Sequence, residues 1–423
     1  MGASVLENMA AGRKIPGIRR HGSVFHPIRK GSDFHRFPLL RPPLDGAGET
    51  TEADGMQDAR TPWPLIAALY LTGLIAGMQF TKISLTLTTL AEVYPGWPVA
   101  FAVSGVAVVG ILFGVMAGGI TASFGPRRAI LWALGASATV GAVEAFLPPF
   151  QVFMALRVVE GAGHLVLVVA VPTLMARLAA PRHRAMVMGL WSTFFGVGFA
   201  FAALVMGENL HAAYGGHAAF AAVMLAVLWM MLPSGVVVAR RPLPRLSDHL
   251  MIYSTPRLFA PGLGHGIYAM LFLALVTFLP TALGALWLAP ILPLASIAGS
   301  FLAGVLARWI APGTLVWMTF ASMAALFAVT MVAGAAAPYV LIFAMGLSGI
   351  VAGAGFAAVP WLNEADDDRA LSNGALAQLG NIGTFTGTPV LAALGAGAYL
   401  PTAIIVCILA AAVTGLAYRA ACS

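Results

Sequence analysis

The sequence predicts an all-α membrane protein whose twelve transmembrane helices form two six-helix bundles related by pseudo-two-fold symmetry. Three observations carry that prediction: a scarcity of charge, a succession of apolar runs of membrane-crossing length, and basic residues confined to one side. Of the 423 residues, 60% are hydrophobic and 9% charged, against roughly 25% charged in a soluble domain. The 23 basic and 16 acidic side chains are too few to coat a body of this size, so most of its surface has to face lipid. A soluble enzyme or soluble binding domain is thereby excluded.

Residues 1–62 are polar, hold nine Lys/Arg and seven Asp/Glu, and contain no apolar core long enough for a signal peptide. They read as a disordered cytoplasmic tail. Met56, just ahead of the first apolar run, is an alternative start that would remove it. From Trp63 onward the chain consists of runs of about 20 apolar residues, each long enough to cross a ~30 Å hydrocarbon core at 1.5 Å per residue. The expected spans, numbered 1 to 12, are 64–88, 98–122, 128–147, 151–177, 185–206, 218–239, 258–279, 284–307, 314–334, 338–361, 372–396 and 399–419. Barrel strands would alternate over about ten residues, whereas Leu156 to Leu178 is nearly continuously apolar.

Charge placement tests this count, because cytoplasmic connections accumulate Lys and Arg. With both termini cytoplasmic, 21 of the 23 basic residues fall in the tail, in the cytoplasmic connections or at the C-terminus. The two exceptions, Lys82 and Arg157, lie inside spans 1 and 4. The net charge of +7 is therefore topological, and no nucleic-acid partner is expected. The expected location is a cytoplasmic (inner) cell membrane.

The chain also repeats. Arg184-Ala185-x3-Gly189-x8-Gly198 recurs as Arg369-Ala370-x3-Gly374-x8-Gly383, each copy preceded by Ala-Val-Pro at 170–172 and 358–360. Gly119 of span 2 has its counterpart in Gly304 of span 8. A six-plus-six duplication follows, with an N-terminal bundle at 63–240, a polar linker at 241–257 and a C-terminal bundle at 258–423. An even number of spans per half makes the repeats parallel, an arrangement that places substrate between the halves near the midplane.

Two segments carry a family resemblance. Gly118-Gly119-Ile-Thr-Ala-Ser-Phe124-Gly125-Pro126-Arg127-Arg128 resembles the loop between helices 2 and 3 of the major facilitator superfamily, and Arg157-x3-Gly161-x-Gly163 resembles its helix 4 motif. The resemblance implies a gating role for Gly119, Gly125, Arg127 and Arg128, and a central cavity lined by helices 1, 4, 7 and 10. Ala122 and Ser123 stand where the superfamily loop carries an acidic residue and an Arg, and span 5 lacks the Gly-Pro pair of the antiporters. Val187-Met188-Gly189-Leu190-Trp191-Ser192 is similar to the cyanate-permease-like branch.

Charge inside hydrocarbon costs roughly 2.5–3.5 kcal/mol per residue, so Lys82, Arg157 and Glu160 require partners or a wet cavity. Arg157, Glu160 and His164 are spaced i, i+3, i+7 and share one helix face. Gln79, Lys82, Thr86 and Thr89 form a polar stripe on span 1, and the two stripes should face each other. Lys82 and Arg157, with Gln79, His265, Gln378 and Asn381, are the expected substrate-binding residues, and Glu160 with His164 the expected proton-coupling pair. The competing readings are a structural Arg157–Glu160 pair and, for Gln378 and Asn381, helix packing. Glu144, near the outer end of span 3, reads as an interfacial residue. Asp366–Asp368 read as a solvated loop, with an ion pair to Arg127 or Arg128 as the alternative.

The functional expectation is a secondary carrier moving a small anionic solute by alternating access with protons, as a symporting permease and as a monomer. A proton-coupled drug or metabolite exporter is the alternative within the class. A non-transporting receptor or scaffold and an intramembrane enzyme are the alternatives outside it; no complete catalytic set supports an enzyme. No nucleotide-binding pattern is present, and two cysteines without ligand spacing give no reason to expect a metal or cofactor.

Overall fold

A computed structural model describes residues 60–233 and 246–423, and these are helical, with no strand among them. Residues 1–59 of the expected tail, residues 234–240 and the first part of the expected linker, 241–245, lie outside the described residues, and the rest of that linker carries a short helix, Leu246–Ser254. Eight helices are long and apolar enough to cross a membrane: Trp63–Leu85, Phe150–Leu178, Leu210–Met231, Pro256–Ala282, Leu288–Leu306, Pro312–Val332, Gly334–Leu362 and Ala396–Cys422. They are spans 1, 4, 6, 7, 8, 9, 10 and 12. Span 5 is a bent pair, Pro181–Ser192 and Phe194–Val205, meeting at 46°.

The other three spans are the ones whose composition or continuity is broken. Span 2 is divided into Ala100–Ser104, Ala107–Phe113 and Ala117–Phe124, with breaks at glycines that weaken a helix. Span 3, Pro126–Glu144, carries Arg127, Arg128 and Glu144, and span 11, Asp366–Leu394, begins with three Asp and one Arg. Gly125 joins spans 2 and 3 at φ +79°, a left-handed conformation that glycine adopts without a Cβ clash.

Span 6 lies eight residues earlier than the 218–239 expected from the sequence, at Leu210–Met231. The physical reason is a cap: the Asn209 side chain accepts a hydrogen bond from the Ala212 amide at 3.0 Å, starting the helix ahead of Gly215 and Gly216. Those glycines are absorbed as helical residues instead of marking a break.

The duplicated glycines make equivalent contacts in the two halves. A Cβ on Gly198 would lie 2.9 Å from the Leu74 carbonyl of span 1, and one on Gly383 would overlap the Gly266 carbonyl of span 7. Gly189 of span 5 faces Phe301 of span 8, and its repeat, Gly374 of span 11, faces Val115 of span 2. Small residues thus let span 5 approach span 1, span 11 approach span 7, and the halves meet along spans 5 and 8 and spans 2 and 11. Bulky side chains such as Trp132, Phe146, Met230 and Val332 are exposed on the outside, an apolar exterior suited to lipid.

Candidate functional site

The charged residues of the membrane region converge inside the N-terminal bundle. Lys82 of span 1, Glu144 of span 3, and Arg157 and Glu160 of span 4 are each 0% exposed. Lys82 Nζ lies 2.6 Å from Glu144 Oε2 and 2.8 Å from Glu160 Oε1. Arg157 Nη1 pairs with Glu160 Oε2 and lies 3.6 Å from Glu144 Oε1. Two cations and two carboxylates therefore alternate in one neutral cluster. Left unpaired, four such charges would together cost roughly 10–14 kcal/mol in the membrane, so mutual pairing is a condition of folding.

The span 4 motif explains how the cluster is held. Arg157 Nε donates to the Ala102 carbonyl at 2.8 Å, and Nη2 donates to the Gln79 carbonyl at 2.6 Å. Ala102 sits in the first fragment of span 2, near its break, so the guanidinium partners backbone of a broken helix. Gly161 meets the Val106 carbonyl of span 2, and Gly163 meets Ala133 and Ser137 of span 3. The glycines bring spans 2 and 3 against the helix that carries the Arg.

The expected facing of the two polar stripes holds: Lys82 meets Glu160, and Gln79 meets His164, with His164 Nδ1 2.9 Å from Gln79 Oε1. Gln79 Nε2 also donates to Ser137 Oγ at 2.9 Å. Three neighbours were missed by sequence reasoning. Glu144 is not interfacial but fully buried on Lys82, because span 3 ends against the bundle interior with only a short Pro-Pro loop before span 4. Tyr214 and His217 belong to span 6 through its early start. Lys82 Nζ sits 5.8 Å from the Tyr214 ring centroid, and the Tyr214 hydroxyl is 3.1 Å from Thr86 Oγ1. His217 Nε2 is 3.2 Å from the Ile75 carbonyl, and its Nδ1 is 3.8 Å from Glu160 Oε1.

The remaining candidates lie elsewhere. Gln378 and Asn381 stand on the seam between halves. Gln378 Nε2 donates to the Ile111 carbonyl of span 2 at 2.6 Å while its Oε1 accepts from Tyr253 at 2.6 Å, and the Asn381 amide fills the space left by Gly110. His265 packs in the C-terminal bundle on Phe356, ring centroids 5.3 Å apart, beside Gly380, and its Nδ1 has no hydrogen-bond partner. Arg127 caps span 6, donating to the Trp229 and Leu232 carbonyls at 3.1 and 3.0 Å, and Arg128 is exposed. Gly119 lies in the last fragment of span 2. Asp368 pairs with Arg257 at 2.6 Å and not with Arg127 or Arg128, and Asp366–Asp368 form the first turn of a helix instead of the expected solvated loop. Span 11 begins at Asp366, earlier than expected, and brings Asp368 beside the start of span 7.

The fold and site define a multi-pass α-helical membrane protein of the transporter class, with duplicated bundles and an internal ion cluster. The sequence pattern of the Major Facilitator Superfamily matches residues 69–388, and the chain belongs to that family. Among solved structures it is similar to a bacterial homologue of the human lysosomal transporter Spinster in an inward-facing, occupied conformation, at 15% identity and TM-score 0.66, covering 85% of this chain and 97% of that one. The unoccupied inward-facing form of that homologue gives TM-score 0.65 at 15% identity, covering 85% and 98%. The inward-open xylose transporter XylE from E. coli gives 0.66 at 15% identity, covering 83% and 95%. No curated protein sequence matches the chain. At this identity the likeness establishes the fold.

Proposed function

We propose that the chain is a secondary active transporter that moves a small solute by alternating access and couples the movement to protons through Glu160. The observation that carries this reading is the neutral, fully buried cluster of Lys82, Glu144, Arg157 and Glu160. Adding a proton to it leaves one cation in excess and weakens the links Glu160 makes between spans 1 and 4, so protonation and helix movement are tied together. The halves also touch toward the outer end of the molecule, where the Thr277 hydroxyl donates to Ser84 at 3.0 Å. Together with likeness to inward-facing structures, that contact supports an inward-facing state with both termini cytoplasmic. One chain carries both halves, so the cycle requires no second copy.

For the solute, the cluster offers no free cation, since Lys82 and Arg157 are each matched by carboxylates. An anionic solute therefore belongs to the protonated state, in which the cluster has positive charge to spare, and symport is the corresponding direction. A second reading rests on a row of rings crossing the seam, Phe80 to Phe195 at 5.7 Å, Phe195 to Phe272 at 6.1 Å and Phe272 to Tyr268 at 5.3 Å. Those rings suit a solute with a planar apolar body, the exporter alternative. Proteoliposomes with a pH gradient, tested with labelled small carboxylates and with planar dyes, separate the two. Proton-driven flux that survives Glu160→Gln unchanged overturns the coupling role.

A further inference from the structure

We infer that the coupling proton is held between two groups, His217 Nδ1 on span 6 and Glu160 Oε1 on span 4, with His217 as the second half of the proton-binding site. The inference rests on the coupling role proposed for Glu160 and assigns its partner. His217 is fully buried, and its Nε2 lies 3.2 Å from the Ile75 carbonyl. A carbonyl only accepts, so Nε2 carries the hydrogen and Nδ1 is left as a bare lone pair. That lone pair has no hydrogen-bond donor and lies 3.8 Å from a carboxylate oxygen. An acceptor facing an acceptor in a dry interior is a position built for one more hydrogen.

The surroundings support the same placement. Gly141 of span 3 packs on the Nδ1 side of the ring, where a Cβ would meet Ala218 at 3.2 Å and His217 Nδ1 at 3.4 Å. The other charged and titratable groups of the cluster are Lys82 on span 1, Glu144 on span 3, Arg157 on span 4 and Tyr214 on span 6. His164, one turn along span 4 from Glu160, is engaged with Gln79 through its own Nδ1. Protonation forms an N–H bond at Nδ1, turns the imidazole into an imidazolium and gives Glu160 Oε1 a second cationic partner. Lys82 then competes with His217 for that oxygen. Span 1 is loosened from span 4 while span 6 is drawn toward it, a rearrangement that one proton drives.

The test counts protons taken up by the purified full-length protein in lipid nanodiscs when it is acidified from about pH 8 to about pH 5, read with an indicator dye. His217→Gln keeps an N–H for the Ile75 carbonyl and removes the second nitrogen. Relative to the unmodified protein, His217→Gln, Glu160→Gln and the double variant should each take up about one proton fewer, the double losing no more than either single. Two independent sites would instead lose additively, which overturns the shared proton. Uptake unchanged in His217→Gln but reduced in Glu160→Gln removes His217 and leaves Glu160 as the coupling residue; uptake unchanged in both overturns both readings. Infrared spectra of protein labelled with 15N-histidine provide a readout that does not depend on Glu160→Gln folding. A buried imidazolium band should appear on acidification and be lost in His217→Gln; its persistence in that variant overturns the assignment.

Discussion

The two bundles share a plan and differ in what holds their interiors together. In the N-terminal bundle, spans 1, 3 and 4 are tied by Lys82, Glu144, Arg157 and Glu160, all fully buried. Among the described residues, no charged side chain of spans 7 to 12 is buried. There the contact is close packing of small residues: Gly299 lies against the Gly346 carbonyl, Gly349 against the Ser296 carbonyl, and Ser300 Oγ donates to the Gly349 carbonyl at 3.0 Å. Packing of that kind does not respond to a proton, whereas a cluster of alternating charges does. The difference teaches that the buried charge is confined to one duplicated half, so the proposed proton coupling belongs to that half and the other is its firm counterpart.

The largest expected effect comes from breaking the charged half. Lys82→Met leaves Glu144 and Glu160 short of a cation and should lower stability by about 3–5 kcal/mol, measured as thermal unfolding in detergent. Adding Glu144→Leu removes a matched pair and should restore most of that loss. The double variant gives the N-terminal bundle an interior closer to that of its partner, and its unfolding should be less dependent on pH than that of the unmodified protein. Next, Gly349→Ala places a Cβ on the Ser296 carbonyl and should destabilise by about 1–3 kcal/mol. Its pH dependence should stay unchanged, which is the converse of the first result.

Arg157→Lys retains the charge but loses the fork that reaches Ala102 and Gln79 as well as Glu160. A loss of about 1–3 kcal/mol is expected, and recovery of full stability would show that charge alone matters at that position. Gln378→Ala removes the bond from span 11 to the Ile111 carbonyl of span 2, worth about 1 kcal/mol. It should shift the balance of inward- and outward-facing states about fivefold, read from distances between spin labels on the two halves. The smallest effect is expected from Asn209→Ala, which removes a solvent-exposed cap of span 6 for about 0.5–1 kcal/mol and should leave the Glu160 pairs in place.

Much of the fold is legible in the sequence because hydrocarbon imposes a strict length and polarity on whatever crosses it. Spans 7 to 10 and 12, and spans 1 and 4, follow from apolar runs alone. Span 6 does not, because Gly215-Gly216 imitates a break; Asn209 ahead of an apolar run is the signal that would have placed it. That shift of register concealed Tyr214 and His217. Glu144 was concealed differently: its position near a span end says nothing about whether that end meets water or the neighbouring helices.

By itself the sequence determined that the chain crosses the membrane repeatedly, which side is basic, that the halves are duplicated, and that Lys82, Arg157 and Glu160 need partners. Those properties depend on local composition and on helical periodicity, which read out residue by residue. Only the tertiary structure decided that Glu144 completes the charged cluster, that His217 places Nδ1 3.8 Å from Glu160, and that Gln378 and Asn381 join the halves. Each of these depends on which faces of separate helices meet, and that is set by where glycines allow backbones to approach and where caps set the register of a helix.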